Sequence, residues 1–380
     1  MGMGVVTALD GLRGLAVIGV LLFHTGHLPG GFLGVDLFFV LSGYLITGQL
    51  LHQARGSLLA FWGRRIRRLV PALAVMTAVV CLLVWAAGSP DLLRTTLDDG
   101  PWVQASLVNW HLLAESAGYW DEFGEPRIFE HLWSVAVEEQ FYLVWPVVVL
   151  LVAGRRLWQV AAAGALASLL VMMMLLDPAD PSRVYTGTDT RAFSLLLGAL
   201  AATAPVGKLL DRLGSRAANV TAAVLVAGLA VSWLVADGTG SMWLFTGGLF
   251  VHALASATLI ALCARDQRLL VARALSWRPL RWAGLLSYSL YLWHWPVIVL
   301  LSPERTGLDG WAWTAVVVAM STGTAVGSKY VVEDPIRYRA RWAQGRTGLA
   351  VFAVVMTTLA GLWLLVPSPA PVTIDVTDLG

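Results

Sequence analysis

Charge is what this sequence has least of. Asp, Glu, Lys and Arg make up 13% of its 380 residues, against 57% hydrophobic residues and a mean hydropathy of +0.71. A soluble chain carries about twice that charge, so the composition excludes a soluble globular protein and implies one embedded in a membrane. Cysteine is scarce too. Cys81 and Cys263 fall inside apolar runs and read as small buried hydrophobes, without a disulfide framework or metal site. The alternating segments of a transmembrane barrel are missing. So are the G-x-S-x-G elbow, the Walker loop, the H-E-x-x-H pair and the dinucleotide glycine fingerprint, and no His is followed by Asp at the H-x4-D spacing. Nucleotide hydrolysis and metal-dependent chemistry therefore find no support.

What is present is a succession of apolar runs, at approximately 8–28, 32–51, 69–88, 131–153, 157–176, 191–206, 217–236, 242–263, 283–302, 311–332 and 348–366. Lengths near 20 residues suit helices crossing about 30 Å of hydrocarbon, and helices satisfy their own backbone polar groups in lipid. The fold class expected is an all-α integral membrane protein with about eleven transmembrane helices. The first run lacks a small-residue cleavage pattern and carries Arg13, so it reads as a retained span. Nineteen basic residues fall in alternate connections (52–68, 154–157, 207–216, 264–281 and 333–346) and five in the others. That asymmetry puts the N-terminus in the cytoplasm and the tail PSPAPVTIDVTDLG outside. It also accounts for the basic residues by topology, without nucleic acid. The outer connection 89–130 is acidic and is expected to lay a helix on the membrane surface, broken at Pro101.

Some polar residues exceed what topology requires. Arg13 and His24 are eleven residues apart, three turns plus about 20°, on one face and about 16 Å apart along the axis. A short link makes the first two spans antiparallel neighbours, so Asp36 is expected to approach His24 and fix its tautomer, as in general-base pairs. In "FWGRRIRRLVPAL" Arg64, Arg65, Arg67 and Arg68 precede Pro71, which suits the first turn of the third span. Their planar forks suit phosphates, and lipid headgroups are the plainer alternative. "HLWSVAVEEQFYLVWP" carries Glu138 and Glu139 into the fourth span, where an unpaired ionised carboxylate would be very costly. Arg191 opens the sixth run, and Tyr288 and His294 lie in the ninth.

These motifs together resemble the bacterial acyltransferase-3 family of multi-spanning membrane enzymes. The likeness is carried by Arg13-x10-His24, "GGFLGVDLFFVLSGYLI", "FWGRRIRRLVPAL", "HLWSVAVEEQFYLVWP", "LLSYSLYLWHWPV" and "VVEDPIR", in that order, over roughly residues 7 to 340. Lys329 departs from the family's usual run-in to the last motif, so that stretch is given no catalytic role. The resemblance implies an acyltransferase domain at 1–340 with ten helices, an additional helix at 341–366, and an extracytoplasmic tail at 367–380 that could begin a linker to a further domain. It implies a bacterial plasma-membrane enzyme that moves an acyl group, most often acetyl, from cytoplasmic acyl-CoA to a hydroxyl outside. The acceptor would be a glycan, a glycolipid or a secondary metabolite. Arg13, Arg64, Arg65, Arg67 and Arg68 would bind the acyl-CoA co-substrate. His24, Asp36 and Glu138 would be catalytic, with Ser42, Tyr142, Arg191, Tyr288 and His294 lining the acceptor site or channel and no metal. A proton-coupled transporter or flippase is the competing class; it would show paired inverted repeats, and none is evident.

Overall fold

In the computed structural model the described residues are 6–52, 57–120, 126–152, 156–343 and 345–369, and every regular element among them is helical. The chain runs through α1 (Thr7–His24), α2 (Leu33–His52), α3 (Leu58–Ala87), α4 (Pro90–Gln104), α5 (Val108–Ala114), α6 (Trp133–Val152), α7 (Leu157–Leu175), α8 (Ser182–Thr186) and α9 (Thr188–Ala201). It continues with α10 (Ala204–Leu210), α11 (Ser215–Val235), α12 (Gly248–Arg265), α13 (Leu270–Leu275), α14 (Arg278–Leu300), α15 (Pro303–Thr306), α16 (Gly310–Gly327) and α17 (Gly345–Leu365). Among the described residues ten helices are long and apolar enough to cross a membrane, and counting α9 and α10 as one broken crossing brings the number to eleven.

Three expectations need correction. The run at 191–206 is not one straight helix: α9 and α10 meet at 67°. Fourteen residues of α9 rise only about 21 Å, and Pro205, in the first turn of α10, has no N–H with which to extend α9. The third helix starts at Leu58, so the four arginines sit within it and Pro71 lies well inside, not in the first turn. Arginine is a good helix former, and the helix carries its charged first turns beyond the apolar run. The third correction concerns α4. It contains Pro101 without breaking there and buries Leu92, Leu93, Leu97, Asp99 and Val103, so one face packs into the protein.

The helices that frame the site touch at backbone level. A β-carbon on Gly284 of α14 would lie 1.7 Å from the Asp10 carbonyl oxygen of α1, and one on Gly43 of α2 would lie 1.8 Å from the Leu195 oxygen of α9. Lipid offers no hydrophobic drive for helix pairing, so association relies on such close approach of small residues. α1 is thereby fixed against α14, and α2 against α9. At the far end of α16 the helix widens into π turns at Ser328–Glu333 and Pro335–Arg339. These bury Lys329 against Asp334 at 3.2 Å and Glu333 beside Ser289 and Arg337. Cys81 and Cys263 are free and buried.

Candidate active site

A chamber of about 450 Å³ lies between α1, α2, α3, α6 and α14. At one end stand Arg13, Arg65 and Arg68. Arg65 is held by a bond from Nη2 to Gln49 Oε1 at 2.7 Å, and its guanidinium sits 5.5 Å from the ring centres of both Phe61 and Tyr142. Of the four arginines in α3, therefore, two face the chamber. Arg64 and Arg67 are not among its lining residues, and Arg67 Nε donates to its own helix at the Gly63 oxygen. Five positions span more than one turn, so they cannot all share a face.

Further in, Glu138 is the centre of a small polar network. Ser42 donates to Oε1 at 2.8 Å, Tyr142 donates to Oε2 at 2.9 Å, and the two hydroxyls are 3.0 Å apart. Glu138 and Tyr142 are one turn apart on α6, which puts them on one face. Tyr288, whose hydroxyl donates to the Leu69 oxygen at 2.8 Å, lines the same space. Ser134 and Tyr291 line it too; their hydroxyls are 2.7 Å apart and Tyr291 also donates to the His131 oxygen. Sequence reasoning brought Ser42, Glu138, Tyr142 and Tyr288 into view but missed Ser134 and Tyr291, whose hydroxyls are unremarkable until α6 and α14 are brought together.

His24 does not line this chamber. It lies beyond a layer made by Tyr291 and His294: the Tyr291 and His294 rings are 5.2 Å apart, and the His294 and His24 rings 5.1 Å. Arg13 and His24, on one face of α1, therefore do not share one cavity. Nor does Asp36 serve His24. Its Oδ1 accepts from Arg191 at 3.1 Å and from Ser194, and its Oδ2 accepts from His252 Nδ1 at 2.8 Å. Trp233 Nε1 donates to His252 Nε2 at 3.1 Å, so the proton of that imidazole is on Nδ1, facing the carboxylate. Arg191 correspondingly is not among the chamber's lining residues. It is fully buried, with Phe39, Tyr185 and Phe193 rings 5.1 to 5.8 Å from its guanidinium carbon. An Asp one turn into α2 reads locally as a neighbour of α1, but α9 and α12 pack on its other side and supply its hydrogen-bond partners.

The partner that His24 has is His294. His294 Nδ1 faces the Tyr291 carbonyl oxygen at 2.7 Å, and an oxygen of that kind can only accept, so this nitrogen carries the proton. His294 Nε2 then accepts from His24 Nδ1 at 3.1 Å, which leaves His24 Nε2 with the lone pair. His131, unnoticed in the sequence, places its ring 5.5 Å from that of His294, with Nε2 on the Leu292 oxygen. Despite this histidine cluster, no three His, Cys, Asp or Glu side chains among the described residues are placed to hold a metal ion. Trp295 covers His24 at 4.8 Å between ring centres and donates from Nε1 to the Arg127 oxygen, tying the site to the segment just before α6.

Comparison with known proteins bears on this arrangement. A protein named putative peptidoglycan O-acetyltransferase YrhL, from Bacillus subtilis, is 39% identical over 352 residues, covering 87% of this chain and 55% of its own. The peptidoglycan O-acetyltransferase OatA of Listeria monocytogenes is 37% identical over 349 residues, 87% of this chain and 56% of its own. The O-acetyltransferase OatA of Staphylococcus aureus strain NCTC 8325 is 34% identical over 383 residues, 95% of this chain and 62% of its own. The chain thus spans a little over half the length of these relatives. No solved structure matches it. The model of the family described as "Acyltransferase domain" matches residues 6–329, from the start of α1 to the π turn after α16, and the chain belongs to that acyltransferase-3 family.

Proposed function

We propose that this protein transfers an acyl group, acetyl by likeness to its relatives' names, from cytoplasmic acyl-CoA to a hydroxyl of an extracytoplasmic glycan. Peptidoglycan is the acceptor the relatives' names favour. The observation that carries the reading is the opposition of two sites: arginines at one end of a chamber, and, beyond the layer of Tyr291 and His294, a histidine whose Nε2 carries the lone pair. Arg13, Arg65 and Arg68 would take the donor's phosphates, because guanidinium forks match phosphate oxygens. The pantetheine arm would enter toward Ser134 and Tyr291. His24 Nε2 would accept the proton of the acceptor hydroxyl as its oxygen bonds to the thioester carbon. The carbon–sulfur bond then breaks, and the thiolate leaves with that proton as the CoA thiol. His294 would orient His24, and Tyr291 would have to turn aside for donor and acceptor to meet.

Purified protein in liposomes, supplied with acetyl-CoA and a soluble peptidoglycan fragment, tests this directly. O-acetylated fragment should form with wild type and be nearly lost with His24→Ala. Equal product from both would refute the assignment of the base. Absence of any acetyl-CoA turnover by wild type would refute the donor.

A further inference from the structure

A second cavity, of about 600 Å³, lies between α3, the α4–α5 corner, α6 and α17, on the other side of a wall formed by Arg65, Leu69 and Tyr142. Along α3 it is lined from Trp62 to Thr77 at helical spacing, fifteen residue steps or about 22 Å. That is half the thickness of a bilayer with its headgroups, about 40–45 Å in all. Polar groups at the far end are partnered within the protein. Ser106 donates to Glu139, and Gln140 donates to Asn109 Oδ1 and to the Ser106 oxygen. Gln104 bonds the Met356 oxygen and Trp363 of α17. What remains for an occupant is an apolar slot with the Arg65 guanidinium at its mouth, and of that group's five donors Gln49 takes one. Leu107 and Leu143 line the slot and are 38% and 61% exposed, so it opens sideways toward lipid.

We propose that this slot holds one acyl chain of an anionic phospholipid from the leaflet on the arginine side, with the phosphate against Arg65 and the chain end near Ala74 and Thr77. Length, apolarity and charge at the mouth all select that occupant: a neutral lipid lacks a partner for the guanidinium, and a free phosphate would leave the apolar length unfilled. The helix α17 would then be more than an appendage, since Phe352, Met356 and Leu359 form the slot's outer wall. This goes beyond the catalytic reading and shares with it only Arg65, which stands in the wall between the two cavities.

The full chain in nanodiscs containing phosphatidylglycerol with a diazirine near the end of one acyl chain provides the test, read by mass-spectrometric mapping of adducts. Adducts are expected at Ala74, Thr77 and Met356, and several-fold fewer with the same chain on phosphatidylcholine. Ala74→Trp should remove the slot adducts while leaving those on exposed Leu82 and Leu150, which also reports that the variant is folded. Arg65→Gln, which leaves the slot open, should abolish the preference between the two headgroups. Adducts confined to Leu82, Leu150 and similar surface positions would overturn the proposal, as would equal labelling of the slot by both lipids in wild type.

Discussion

Three histidines from α1, α14 and the turn before α6 converge where sequence reasoning placed a histidine and an aspartate. The consequence is chemical, because an imidazole oriented by a neutral imidazole carries no fixed negative charge beside it. His24→Ala should cut acyl transfer by about two to four powers of ten, the scale of a general base, while folding survives at a partly buried position. His294→Ala should reproduce part of that loss, and His294→Asn should recover some of it, since an amide oxygen can still accept from His24 Nδ1–H. A merely structural role for His294 would lower stability and leave the pH profile of transfer unmoved. Arg13 and His24 were legible because both stand on one helix at fixed spacing. Asp36 was not, because Arg191 and His252 lie 155 and 216 residues further along the chain. An acid in an apolar helix announces that it has a partner without saying which helix supplies it.

Helices matter here by how closely they meet. Gly284→Leu should drive α14 away from the Asp10 carbonyl and lower the melting temperature in detergent sharply, overpacking of this kind costing about 1–3 kcal/mol or more. Gly323→Ala in α16, where a β-carbon meets nothing within 4 Å, should be neutral or slightly stabilising. Such contacts are invisible in a hydropathy pattern, which finds spans but not their neighbours. The same limit hid the burial of α4. There Asp99 is fully buried, with Arg127 at 3.0 Å and His111 at 3.3 Å. Burial pushes its carboxyl up to about 7 from 3.8, outweighing the pull of Arg127. The folded loop thus holds the proton more tightly than the unfolded chain does, and this stabilisation is complete below about 4 and is lost as pH rises through 7. Wild type should accordingly melt at a higher temperature at pH 5 than at pH 8, and Asp99→Asn should narrow the gap. A gap unchanged by that substitution would assign the pH dependence elsewhere.

For the molecule as a whole, the division between the arginine chamber and the histidine pair makes sidedness the decisive property. Nineteen basic residues against five would place the arginine end in the cytoplasm by the positive-inside rule, and donor and acceptor would then approach from opposite faces. The layer of Tyr291 and His294 between them has a physical use. In the proposed reaction it would keep water on the acceptor side from reaching the thioester until an acceptor hydroxyl is in place. In proteoliposomes of known orientation, acetyl-CoA supplied to the arginine face should acetylate a glycan confined to the opposite face, without acetyl-CoA itself crossing. Tyr291→Ala should thin the layer and raise hydrolysis of acetyl-CoA when no acceptor is present, relative to transfer when one is. Product formed only when donor and acceptor share a compartment would mean that both substrates enter from one side and that the layer is ordinary core packing.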